Sequence, residues 1–115
     1  MSRHEDRVRL QHMLDFAREA VSFCRGRTRA DLSSNLMLSL ALTRLIEVIG
    51  EAATRVSNET RTKTPNIPWP DIIAARNRLI HGYPTIDLDI IWDIVTKDLP
   101  ALIAELEKAL GAAEK

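Results

Sequence analysis

This chain has one cysteine, no excess of charge of either sign, and no hydrophobic run long enough to span a membrane. The lone Cys24 excludes an internal disulfide, and no group of Cys, His and acidic residues has metal-ligand spacing, so neither metal nor cofactor is expected. Sixteen Lys and Arg balance 16 Asp and Glu, which argues against broad electrostatic capture of nucleic acid and confines any RNA contact to a local patch. The opening residues MSRHEDRVRL contain no apolar stretch of a secretion signal, and the expected location is the cytoplasm, with no membrane partner. Period-two alternation, internal repeats and interdomain linkers are also missing. What is present is a globular composition, 45% hydrophobic and 28% charged over 115 residues, which suits one domain across 1–115 with one modest core.

Helical periodicity fills most of the chain. A Ser2-x-x-Glu5 capping box opens a first helix that carries Leu10, Met13, Leu14, Ala17, Ala20, Val21 and Cys24 on one side and ends at Gly26. Thr28 to Ser34 reads as a polar connection. A second helix, about Ser34 to Ser57, has apolar residues over close to half its circumference and must pack on two sides. Asn58 to Asn66 is a polar, turn-rich loop, stiffened by Pro65, Pro68 and Pro70, and Trp69 reads as a core anchor. Asp87 is an N-cap for a last helix in which Leu88, Ile91, Trp92, Val95, Leu99, Leu102, Leu106 and Leu110 keep one phase through Pro100. The expected fold is all-α, an antiparallel bundle of four main helices with the last kinked at Pro100.

Within this scaffold the stretch Trp69 to Tyr83, WPDIIAARNRLIHGY, is unusual. Pro70 suits a first helical turn, Asp71 suits the positive end of the helix dipole and Gly82 suits a helix stop, which predicts a helix over about Pro70 to His81. Ile72, Ile73, Leu79 and Ile80 form its apolar stripe, and Arg76 falls in the middle of it. A cation there needs an anion or a wet interface; a structural ion pair with another helix and a functional role both satisfy that need. His81 follows five residues later, roughly 140° around an ideal helix, so one copy makes a poor site. Two copies about a two-fold axis would join two Arg76 and two His81, a constellation suited to RNA cleavage: one imidazole takes the ribose 2′-OH proton, the other protonates the leaving 5′-oxygen, and the guanidinium groups stabilise the phosphorane. Asn77 shares a face with His81, placed to fix its tautomer or hold a phosphate oxygen.

Arg76-Asn77-Arg78-Leu79-Ile80-His81-Gly82-Tyr83 resembles the R-x4-H-x-Y signature of HEPN-domain ribonucleases, and its setting resembles the HepT toxin group. Glu47 to Ala53, Ile67-Pro68-Trp69, Asp87 to Trp92 and Asp98-Leu99-Pro100 extend the resemblance, which covers nearly all of Val8 to Leu110. The resemblance implies the toxin of a type VII toxin–antitoxin system, an endoribonuclease cutting RNA, tRNA or mRNA, with Arg76 and His81 catalytic and Asn77 and Arg78 as supporting polar or phosphate-binding groups. It also implies an MntA-type nucleotidyltransferase antitoxin that transfers AMP to Tyr83. From the residues alone, Tyr83 is as well read as a core side chain, and a non-catalytic helical adaptor that binds a nucleotide or partner at the same arginines is the alternative function.

Other charged groups read as surface. Glu47 and Glu51 lie one turn apart, flanked by Arg44 and Arg55, and are expected to form ordinary ion pairs. His4 and His12 have no partner pattern. Arg25, Arg27 and Arg29 crowd one loop, as solvated charge or as contacts to RNA phosphates.

Overall fold

The computed structural model describes residues 3–81 and 87–113, with the side chains of 4–80 and 87–111. Among the described residues every regular element is helical: α1 (Arg3–Cys24), α2 (Arg29–Ser34), α3 (Leu36–Thr54), α4 (Asn58–Lys63), α5 (Trp69–His81), α6 (Leu88–Asp93), a π-helical turn (Ile94–Asp98) and α7 (Leu99–Ala113). The all-α reading holds. α1, α3, α5 and the α6–π–α7 rod are the four main members, and Ser2 of the expected first capping box lies outside the described residues.

α3 is the central helix, packed on α1 along one side and on α5 along another, which accounts for its broad apolar surface. Leu38, Leu42, Ile46, Ile49 and Ala53 are buried there, facing Met13, Leu14 and Ala17 of α1 within one continuous core. The first turn of α1 meets the far ends of both neighbours. Asp6 accepts from the Ser57 N–H at 3.0 Å just past α3, and Arg7 Nη1 donates to the Leu110 carbonyl of α7 at 3.3 Å, so α1 runs antiparallel to each. Gly26, at φ 75°, takes the left-handed conformation that ends α1.

Two segments read as connections are short helices. Asn35 and Ser57 each act as an N-cap, Asn35 Oδ1 accepting from the Leu38 N–H at 3.1 Å and Ser57 Oγ from the Thr60 N–H at 3.3 Å, so α3 starts at Leu36 and stops at Thr54, inside its expected bounds. α2 and α4 are each six residues long, too short to display an apolar stripe in the sequence.

In the last rod a widened turn comes just before the proline. Pro100 has no N–H and crowds the carbonyl four residues earlier; five residues of π-helix precede it, with the Leu99 N–H bonded back to the Ile94 carbonyl. A π turn holds about one extra residue. Ile91, Val95 and Leu99 follow a spacing of four, longer than the 3.6 of an α-helix, and the wide turn keeps all three on the core at no more than 4% exposure. Asp87 caps α6 as expected, its Oδ1 accepting from the N–H groups of Asp89 and Ile90.

Candidate functional site at the α3–α5 contact

α5 is aligned at its start by Trp69, which is 5% exposed and donates from Nε1 to Thr64 Oγ1 at 3.2 Å, so the core-anchor reading of this residue holds. From there α5 packs on α3, crossing it at Gly50. A Cβ built on Gly50 would stand 2.2 Å from Cβ and 2.8 Å from Cγ of Arg76 and 3.2 Å from the Ile72 carbonyl oxygen. The stem of Arg76 therefore lies directly on the backbone of α3, where only a glycine gives it room.

That contact explains how an arginine occupies an apolar stripe. Its methylenes are packed and its residue is half-buried, while the head group turns back along its own helix, Nη1 donating to Asn77 Oδ1 at 2.9 Å. No described carboxylate pairs with Arg76, and its Nε is buried with no hydrogen-bond partner among the described residues. The structural ion pair allowed by the sequence is absent there. A buried guanidinium N–H without an acceptor is costly; Arg61 Nε shares this state, but Arg76 differs in standing on the apolar stripe of the helix that ends in His81. Asn77, expected to support His81, accepts this bond from Arg76, and Arg78 is exposed. His81 is the last helical residue of α5, but its side chain, and Gly82 and Tyr83 altogether, lie outside the described residues.

The remaining apolar residues of α5 are incompletely covered: Ile72, Ile73 and Leu79 are half-buried and Ile80 is 41% exposed. At the start of α3, Leu36, Met37 and Leu40 are 70%, 82% and 51% exposed. Three large apolar side chains within two turns of α3 are thus left in water. Beside the α3–α5 contact, a groove of about 250 Å³ opens between α3, α5 and the last rod, lined by Ile46, Ile49, Ile72 and Leu102 and by the carboxylates Asp71 and Asp98. Its acidic, apolar walls do not suit a phosphate, and Arg76 is not among its lining residues.

The groups set aside in the sequence behave as surface. Arg44 pairs with Glu47 at 3.7 Å and Arg55 with Glu51 at 3.5 Å, while His4 and His12 are exposed. Arg29 pairs with Asp89 and so joins α2 to α6, which leaves Arg25 and Arg27 exposed without a partner among the described residues. Burial pushes the Cys24 thiol up, only partly offset by Arg27, so it is a packing residue rather than a nucleophile. Sequence reasoning missed Gly50; its signal was an isolated glycine inside an otherwise apolar helix, the mark of a close backbone approach.

The family profile described as Ribonuclease HepT-like matches residues 13–109. The chain belongs to the HepT-like ribonuclease family. Its relatives include "Putative RNase MJ1380" of Methanocaldococcus jannaschii, 35% identical over 107 residues, 93% of this chain and 98% of that one. "Putative RNase TTE0752" of Caldanaerobacter subterraneus is 31% identical over 101 residues, 88% of this chain and 90% of its own length. "Probable ribonuclease HepT" of Thermococcus cleftensis is 37% identical over 68 residues, 59% of this chain and 62% of that one. No solved structure matches the chain. The HepT-like assignment agrees with the resemblance drawn from Arg76 to Tyr83, and among the described residues no helix is long and apolar enough to cross a membrane.

Proposed function

We propose that this protein is a metal-independent endoribonuclease, the toxin of a toxin–antitoxin pair, with a site completed by a second copy of the chain. The observation that carries the reading is Arg76: a half-buried arginine whose Nε has no acceptor, on the helix that ends in His81, in a HepT-like chain. The uncovered Leu36, Met37, Leu40 and Ile80 support pairing of two copies. In the paired site one His81 accepts the proton of a ribose 2′-OH as its oxygen attacks the adjacent phosphorus. The P–O5′ bond breaks, the second His81 supplies the proton to the leaving oxygen, and the two Arg76 groups stabilise the added negative charge. Asn77 holds the guanidinium, and Arg78, exposed one residue on, contacts a neighbouring phosphate.

The test is incubation of the purified protein with labelled RNA in EDTA. Cleavage should give 2′,3′-cyclic phosphate and 5′-hydroxyl ends, and Arg76→Ala and His81→Ala should each abolish it with the fold intact. A 5′-phosphate product or loss of activity in EDTA would point to a metal-activated water. Intact RNA beside tight nucleotide binding would favour the non-catalytic adaptor.

Control of the site falls to Tyr83 in this reading. A nucleotidyltransferase antitoxin of the MntA type places AMP on its hydroxyl, and the phosphodiester, two residues from His81, puts an anion and a purine where RNA would bind. Co-expression with a neighbouring transferase should add AMP to Tyr83 by mass spectrometry, and Tyr83→Phe should escape neutralisation. Equal neutralisation of Tyr83→Phe would mean inhibition by direct masking instead.

A further inference from the structure

We propose that Gly50 is the positioning residue of the candidate site: the missing side chain on α3 fixes where the Arg76 guanidinium stands. The functional half of this inference rests on the nuclease reading; the geometric half does not.

The argument begins with distance. Ordinary carbon contacts lie at about 3.5–4.0 Å, whereas a Cβ on Gly50 would meet Arg76 Cβ at 2.2 Å and Cγ at 2.8 Å. These atoms are the root of the arginine, so rotating its far end cannot relieve the clash. The Ile72 carbonyl oxygen, at 3.2 Å from the same Cβ, blocks a sideways escape because it belongs to the backbone of α5. A methyl group at position 50 therefore has to part the two helices by about 1.5 Å.

What moves follows from the packing. α5 rests chiefly on α3, and the groove that α3 and α5 share with the last rod leaves the flank of α5 toward that rod unfilled. α5 can thus shift as a unit, carrying Arg76, Asn77 and the backbone of His81 with it. The shift also opens the joint that keeps Arg76 Nε from water. Gly111 is the contrasting case: it too is helical, and a Cβ there meets nothing within 4 Å. The effect of filling a helical glycine is therefore specific to the α3–α5 crossing.

The experiment compares Gly50→Ala with Gly111→Ala and with Leu42→Ala, a core truncation two turns earlier on α3, all in the full chain. First, the Arg76 Nε–H resonance is identified in ¹⁵N-arginine-labelled protein by its loss in Arg76→Lys, and its solvent exchange is measured. The parent and both controls should show slow exchange; Gly50→Ala should exchange at least tenfold faster. Second, RNA cleavage is measured well below each melting temperature. Gly50→Ala should lose about a hundredfold in kcat, the loss expected for a displacement of an ångström, with KM within about threefold of the parent. Leu42→Ala should keep the parental kcat despite its lower stability. Slow exchange in Gly50→Ala, or a cleavage loss that merely tracks the unfolded fraction, overturns the inference. A parent that exchanges as expected but cuts no RNA overturns the nuclease reading and leaves Gly50 as the determinant of the Arg76 position alone.

Discussion

The guanidinium of Arg61 lies over the indole of Trp69, its central carbon 5.6 Å from the ring centroid, and the same group donates a 2.8 Å hydrogen bond to the Ala53 carbonyl. One side chain on the short helix α4 thus ties the last turn of α3 to the first residue of α5. The carbonyl at a helix end gains a charged donor, and the ring face gains a cation.

Arg61→Ala should cost about 2–4 kcal/mol, the sum expected for a charged hydrogen bond and a cation–π contact. Thermal unfolding followed by circular dichroism should show a loss of several degrees. Arg61→Lys should recover less than half of it, because an ammonium cannot stack a plane on the ring while reaching the carbonyl. An unchanged midpoint in Arg61→Ala would show that the proline-rich approach to α5 holds the helix without this clamp.

Acid should loosen the same end of the bundle through Asp6. Burial pushes its carboxyl up, but hydrogen bonds from Ser57 Oγ, Thr60 Oγ1 and the Ser57 N–H together outweigh that and hold it below the usual carboxylate value. A group whose folded pKa is depressed stabilises the fold above its unfolded pKa and ceases to do so as pH falls through the folded one. Asp6→Asn should therefore be less stable than the parent by about 1–3 kcal/mol near neutral pH, and the gap should close as urea melts are repeated below pH 4. A gap that stays constant with pH would mean that packing at Asp6, and not its charge, is what the substitution removes.

The exposed start of α3 gives a third prediction. Met37→Asp and Leu40→Asp should leave the melting temperature of the isolated protomer within a few degrees, since both side chains are in water in one copy. In light scattering each should weaken self-association about a hundredfold, the effect of charging an apolar anchor in a contact, and RNA cleavage should fall in step. A variant that stays paired at the parental concentration would place the contact elsewhere.

Much of this arrangement was legible because its signals are local. The phase of Ile91, Val95, Leu99, Leu102 and Leu106 exposes a buried face, Asp87 announces a helix start, and the flanking arginines announce the surface pairing of Glu47 and Glu51. Arg76 stood out as a charge on an apolar stripe, yet its surroundings did not, because the group that accommodates it is an absent side chain 26 positions earlier. α2 and α4 escaped notice for the opposite reason: a polar helix of one or two turns has no period to read. The exposure of Leu36 and Met37 was also invisible, since hydrophobic residues beside a helix start look like core until their exposure is seen.

The wide turn at Ile94–Asp98 makes the last rod a reading frame. α6 and α7 face the core together only because that turn holds one residue more than an α-helix would. Adding a residue to this turn, which already holds one over the α-helical count, would swing α6 by about 100° about its axis. Ile91 would leave the core and Asp89 would leave Arg29, so a gain of one codon there would act on the packing of α2 and α6 at once. Length, and not only side-chain identity, is under constraint in this segment.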